Sequence, residues 1–216
     1  MSIDAVIKVG GSLSRGDGLQ ALCREIGRLA ELYRLLIIPG GGSFADQVRE
    51  ADRRYFLGST AAHRMALLAM DQYGYLLNQL IPGSFLTSEL SLEDLPPESG
   101  KAAILLPSAL IFAMDPLPHS WDVTSDSIAA WVARQVQCAR LILLKDVEGL
   151  LTAAETPLRI AELTVRRLNE HTGGVDRHLS QVLAASGLET WIISGLRPER
   201  LSELLRTSCT VGTRIR

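Results

Sequence analysis

The feature that most constrains this chain is alternation. Short apolar runs rich in β-branched residues recur with helix-like segments between them. Residues 3–9, 35–39, 102–106, 140–144, 189–194 and 210–215 read as strands. Residues 19–32, 44–55, 61–80, 125–137, 175–186 and 198–206 carry helical periodicity. Strands apolar on both faces and separated by helices imply a largely parallel α/β sheet sandwiched between helical layers. Such sheets bind ligands beyond the C-terminal ends of their strands. A chain of 216 residues with 47% hydrophobic content can bury that core as one domain spanning 1–216. Residues 82–100 are polar and proline-bearing, and are expected to form a surface connection or a small hairpin. Residues 152–158 read as a second irregular loop. No internal repeat is visible.

The remaining composition excludes several classes. A net charge of −2 leaves no basic footprint for nucleic acid. The longest apolar run, 102–114, is interrupted by Pro107 and too short to span a bilayer, so no membrane partner is expected. The opening MSIDAVIKV lacks a basic region ahead of an apolar core, so no secretory signal is expected. Cys23, Cys138 and Cys209 are widely spaced, form no metal or redox pattern, and read as buried thiols of a cytoplasmic protein. No metal-ligand cluster is expected.

Four stretches carry the chemistry. In AVIKVGGSL, Lys8 sits inside a strand two residues before Gly10, Gly11 and Ser12. Its ammonium either finds a partner at the strand's end or snorkels to water. A bare backbone after a strand, feeding a helix, suits phosphate oxygens. It is not a P-loop, since G-x-x-x-x-G-K-[ST] is absent, nor does it have the G-x-G-x-x-G spacing. After the strand LLII come Pro39, Gly40, Gly41, Gly42 and Ser43. Three consecutive glycines cost backbone entropy, so either a bound phosphate or a tight strand-to-helix turn needs the bare backbone. In Trp121-Asp122-Val123-Thr124-Ser125-Asp126, Thr124 or Ser125 can cap the following helix, and Asp126 falls in its first turn. Finally the apolar strand LILL delivers Lys145, Asp146, Val147 and Glu148 into a turn at Gly149. Lys8, Lys101 and Lys145 are the only lysines in the chain.

Together VIKVGGS, IIPGGGSFAD, VTSDSIAAWVA, LLKDVEGL and the terminal ISG…GT.I resemble, in order and over almost the whole chain, the amino acid kinase family. That resemblance implies an αβα sandwich and an ATP-dependent kinase. Its acceptor would bind mainly in the first half and its nucleotide mainly in the second. Lys8 resembles the family lysine that contacts the nucleotide phosphates and the group in flight. Gly10, Gly11 and Ser12 resemble the loop under the ATP phosphates. Gly40, Gly41, Gly42 and Ser43 resemble the loop meeting the acceptor, with Trp121 and Thr124 facing the same side. Asp126 matches the aspartate that holds catalytic lysines, and Lys145, Asp146, Val147 and Gly149 match the segment beside base and ribose. ATP brings Mg²⁺ with it, and a homo-oligomer is implied. Phosphoryl transfer asks a protein mainly for positioning and charge neutralisation, which lysines and glycine N–H groups supply.

Many members carry a late G-G-M-x-x-K whose lysine adds a second positive charge. Here the stretch reads Thr172-Gly173-Gly174-Val175-Asp176-Arg177-His178, so Arg177 or His178 is expected to substitute. The short length, with HRMALLAMDQYGYLL and HSWDVTSDS, resembles the small kinases of methanofuran biosynthesis, which phosphorylate the phosphate of an aminomethyl-furan-methanol phosphate. The alternatives are a uridylate or isopentenyl phosphate kinase, a carboxylate kinase, or a non-catalytic nucleotide-binding or storage protein on the same fold. Trp121 either stacks on a flat acceptor ring or packs. His63 reads as a satisfied surface or core residue, Asp71 and Gln72 as solvated, and Trp131 and Trp191 as core. Arg49 and Arg53 lie on a solvated helix face from which they could grip an anion.

Overall fold

The computed structural model describes residues 3–90, 100–154, 156–170, 174–184 and 186–216. In chain order the elements are β1 (Ala5–Val9), α1 (Leu19–Ala30), β2 (Leu35–Pro39), α2 (Gly42–Tyr55), α3 (Ser59–Leu80), β3 (Phe85–Thr87), β4 (Ala103–Leu105), α4 (Pro107–Met114), α5 (Ser125–Gln135), β5 (Arg140–Lys145), β6 (Glu162–Leu163), α6 (Leu179–Ala184), β7 (Glu189–Ser194), α7 (Glu199–Thr207) and β8 (Thr213–Ile215). The strands form one sheet in the order β3-β4-β2-β1-β5-β7-β8-β6, with every pairing parallel except β7 with β8.

Side-chain alternation divides the core between the two faces of this sheet. Val6, Leu36, Ile38, Leu141 and Leu143 pack toward α5 and the middle of α3. Ala5, Ile7, Val9, Ile37, Ile142 and Leu144 pack toward α1 and α7. The central strands are buried throughout, and each apolar side chain so buried contributes roughly 1.5–3 kcal/mol. Trp131 and Trp191 lie in this core, as expected.

Several features depart from the sequence reading: the helix expected over 175–186 is confined to Leu179–Ala184, and Glu162–Leu163 is an unexpected edge strand. The run 102–114 splits at Pro107, which stands at the start of α4 rather than interrupting one element. Residues 85–87 form a parallel edge strand on β4 instead of a hairpin, while 91–99 lie outside the described residues. Asp71 is not solvated: its carboxylate accepts the Ser108 backbone N–H at 3.2 Å and the Ser108 hydroxyl, capping α4 from α3. In the 152–158 loop the Thr152 N–H donates to the Leu158 carbonyl, and Leu151 bridges Arg159.

Candidate active site

Parity and register decide what faces the cleft. Lys8 shares the α5 side of β1 with Val6, and Lys145 shares the α5 side of β5 with Leu143. The two strands are parallel neighbours with Lys8 opposite Leu143, so both lysines emerge side by side at the C-terminal end of the sheet. The first turn of α5 crosses above them. Asp126 takes Lys8 Nζ on Oδ1 at 2.7 Å and Lys145 Nζ on Oδ2 at 2.6 Å. Its side chain is 3% exposed, against 6% and 14% for the lysines. Burial alone would raise the Asp126 carboxyl, but the ammonium groups of Lys145 and Lys8 outweigh it and hold the group below the usual carboxylate range. Desolvation lowers the Lys8 ammonium, with Asp126 working against that shift and Lys145 reinforcing it. Two cations on one carboxylate leave one unit of positive charge facing the cleft.

What holds Asp126 there is a residue the sequence reading passed over. Asp176 accepts the Thr124 N–H at 2.9 Å, the Thr124 hydroxyl at 2.8 Å and the Ser127 N–H at 3.0 Å on Oδ2. Its Oδ1 takes the Ser127 hydroxyl at 2.5 Å and the Leu179 N–H at 2.9 Å. Thr124 is the N-cap of α5, as expected, and accepts the Asp126 N–H at 3.4 Å. Asp176 therefore ties down the N-termini of α5 and α6 together, and its negative charge sits where the α5 dipole favours it. Its signal was present in the sequence only as one of the two unspecified positions of the late family stretch.

Around this centre lies a cleft of about 1020 Å³. Lys8, Gly10, Gly11, Ser12, Gly41, Gly42, Trp121, Thr124, Asp126, Lys145, Asp146, Val147 and Arg177 all line it. Gly40, Ser43 and Gly149 do not. Gly40 is buried, and a Cβ there would sit 2.6 Å from the Gly11 nitrogen. A Cβ on Gly11 would land on the backbone nitrogen of Gly42, and one on Gly10 would sit 2.6 Å from the Leu144 carbonyl oxygen. The bare backbone is thus required where two strand-end loops press on each other and on β5, whatever they also bind. Gly149 has φ +142° and fits against Thr213.

The second cation also departs from expectation. Lys145, not Arg177, shares Asp126 with Lys8. The Arg177 side chain is 86% exposed at the rim, with its guanidinium 3.9 Å from Asp122. His178 uses its backbone N–H on the Asp122 carbonyl, and Thr172 and Gly173 lie outside the described residues.

Along the α2 wall of the cleft, Asp46 pairs with Arg15 and, at 3.1 Å, with Arg49. The Arg49 guanidinium lies 4.8 Å over the Trp121 ring, and Trp121 Nε1 donates to Asp52 Oδ2 at 2.8 Å. Arg53 pairs with Glu50. His63 is not a satisfied residue: it is 7% exposed, and its Nε2 has no hydrogen-bond partner among the described residues.

A parallel α/β sheet with paired lysines and glycine loops at its strand ends is the arrangement of a phosphotransferase. The chain belongs to the amino acid kinase family, whose model matches residues 5–203, and it is an enzyme of the kinase class. It is 27% identical over 214 residues to the (5-(aminomethyl)furan-3-yl)methyl phosphate kinase of Methanocaldococcus jannaschii, covering 97% of this chain and 96% of that one. Its fold is similar to the uridylate kinase of Archaeoglobus fulgidus, with a TM-score of 0.79 at 19% identity over 99% of this chain and 100% of the other. It is also similar to the aspartate kinase of Synechocystis, with a TM-score of 0.70 at 16% identity over 98% of this chain and 39% of the other. Among the described residues no helix is long and apolar enough to cross a membrane.

Proposed function

We propose that this protein transfers the γ-phosphoryl group of ATP to the phosphate of a small phosphomonoester, giving a diphosphate. The observation that carries the reading is the buried Lys8–Asp126–Lys145 set at the strand ends. A phosphoryl group in flight spreads negative charge over its oxygens, and a fixed net positive charge in a cleft meets it without reorganisation. Lys8 would touch the transferring group, and Lys145 would be the second cation rather than only a nucleotide contact. Asp126 would orient both ammonium groups. The N–H groups of Gly11 and Ser12 would take nucleotide phosphates, with Gly10, whose own N–H donates to the Leu144 carbonyl at 2.9 Å, keeping the loop against β5, and with Asp146 and Val147 beside the nucleoside. Gly41, Gly42, Thr124 and Trp121 would meet the acceptor, and Arg15 and Arg49 would supply charge for its phosphate.

Magnesium would supply charge neutralisation between the nucleotide phosphates. Among the described residues no group of three His, Cys, Asp or Glu side chains could hold it alone. The donor set of lysines and backbone N–H groups fits a metal carried in by ATP. The likeness to the M. jannaschii enzyme supports (5-(aminomethyl)furan-3-yl)methyl phosphate as the acceptor, for a single-domain cytoplasmic protein. Exposed Met65, Leu68 and Tyr75 on α3 support a homo-oligomer.

The test is ADP release with Mg²⁺-ATP and a panel of acceptors: the furan phosphate, UMP, isopentenyl phosphate and an amino-acid carboxylate. Turnover of the furan phosphate at least tenfold above the others is the expected result. Preference for a carboxylate, or release of ADP with none of them, overturns the reading.

A further inference from the structure

Beside the main cleft lies a second cavity of about 600 Å³, lined among others by Asp52, Phe56, His63, Ser120, Trp121 and Asp122. His63, Trp121 and Asp122 also line the main cleft, so the cavity extends its acceptor end.

The charged groups that stay unneutralised here are carboxylates, beside the Ser59 and Ser120 hydroxyls. Asp52 is held by the Trp121 indole on Oδ2 and by the Leu57 N–H on Oδ1 at 3.1 Å, which leaves each oxygen a free lone pair. Among the described residues the Asp122 carboxylate meets only the distant Arg177, at a separation too long for a direct hydrogen bond. Arg53 is the one cationic side chain on this lining among the described residues, and Glu50 already neutralises it.

His63 is the independent sign that a ligand belongs here. Its ring stacks on His119 at 4.6 Å with 20° between the planes. His119 is itself fixed by Asp115 at 2.7 Å and Thr60 at 2.9 Å. Burial, then the neighbouring His119, favours the neutral form of His63. A neutral imidazole can accept a proton donor, yet Nε2 is buried with no partner among the described residues. Leaving such an atom unpaired costs about 1–3 kcal/mol.

We propose that this side cavity is the subsite that reads the far end of the acceptor, and that it selects a primary ammonium group. Asp52 and Asp122 supply the charge, His63 a neutral acceptor, and the Trp121 and Phe56 rings apolar and cation-attracting walls. A carboxylate would meet two like charges, and a methyl group would leave the acceptors unpaired. The proposal rests on the reading that the acceptor is a phosphomonoester with its phosphate toward Lys8 and Lys145.

Two phosphomonoesters of one ring, differing only in an aminomethyl against a methyl substituent, test it. The expected kcat/KM ratio in the wild type is about tenfold to a hundredfold in favour of the amine. Asp52→Asn and Asp122→Asn should each cut that ratio at least fivefold. The ratio is the readout, so a variant that is merely less stable does not imitate the effect. A wild type indifferent to the amine, or an unchanged ratio in both variants, overturns the proposal. If neither compound is turned over, the phosphotransfer reading fails on its own. Calorimetric binding of the same two compounds then still decides the subsite, with tighter binding of the amine supporting it and equal binding refuting it.

Discussion

Replacing Lys145 by Met would remove a charge while keeping most of an apolar stem. Lys145 Nζ is 2.6 Å from Asp126 Oδ2, and Lys8 Nζ is 2.7 Å from Oδ1. With both lysines the set carries one net positive charge; in Lys145→Met it carries none. A unit charge about 5 Å from the phosphoryl oxygens, at an effective dielectric of about 20, contributes roughly 3 kcal/mol. That corresponds to about 10²-fold in rate. Steady-state ADP release should therefore show kcat down by about 10²-fold, with ATP KM changed much less, because the charge is felt most in the transition state. The comparison variant is Arg177→Ala. Its side chain is 86% exposed at the rim, so screening by water limits its effect to about threefold. The reverse order, with Arg177→Ala crippling turnover and Lys145→Met within threefold of wild type, would refute the assignment of the second cation. A thermal melt of each variant separates lost charge from lost fold.

Lys8→Ala should lower kcat by about 10²-fold or more while the protein still unfolds cooperatively, and a turnover within threefold of wild type would remove Lys8 from the chemistry. Asp176→Ala strips the partner from the Thr124, Ser127 and Leu179 N–H groups and from the Thr124 and Ser127 hydroxyls. A melting point lower by roughly 3–9 °C is expected, together with a kcat loss that Asp176→Asn recovers only in part. His63 is pushed toward its neutral form, so its folded value lies below the ordinary 6.5. The favourable contribution of its neutral form is complete above that pH and lost as pH falls through the folded value; the stability of wild type relative to His63→Phe should therefore fall on acidification in differential melts, and a pH-independent difference would refute it. The Cys23 thiol is pushed up to about 12 by burial and Cys138 is buried, whereas Cys209 is exposed. Iodoacetamide at pH 8 should modify one thiol in the native protein and three after unfolding, as counted by mass spectrometry.

What could be read from residues alone follows the range over which each feature is determined. The strands β1, β2, β5 and β7 are central and covered on both faces, so they appear in the sequence as predominantly apolar runs, with Lys8 the one charge inside them. The short strands β3 and β6 lie on the sheet's edges, and nothing local distinguishes Phe85–Thr87 or Glu162–Leu163 from loop. Lys8 and Asp126 were recognisable because their surroundings are local: a charge inside a strand and a carboxylate in the first turn of a capped helix. The company that Lys145 keeps depends on the register of β1 against β5, and no window along the chain contains it. The same applies to Asp176, whose partners Thr124 and Ser127 lie 52 and 49 residues away. The glycines show how one observation can have two causes. Entropy argues that something requires a bare backbone at residues 10–11 and 40–42, and a phosphate is a sufficient reason. The nearer reason is that the Gly11 and Gly40 loops touch, leaving no room for a Cβ between them. Glycine therefore brings the ends of β1 and β2 together first, and that closeness is what aims both loops into the cleft that Lys8 and Lys145 share.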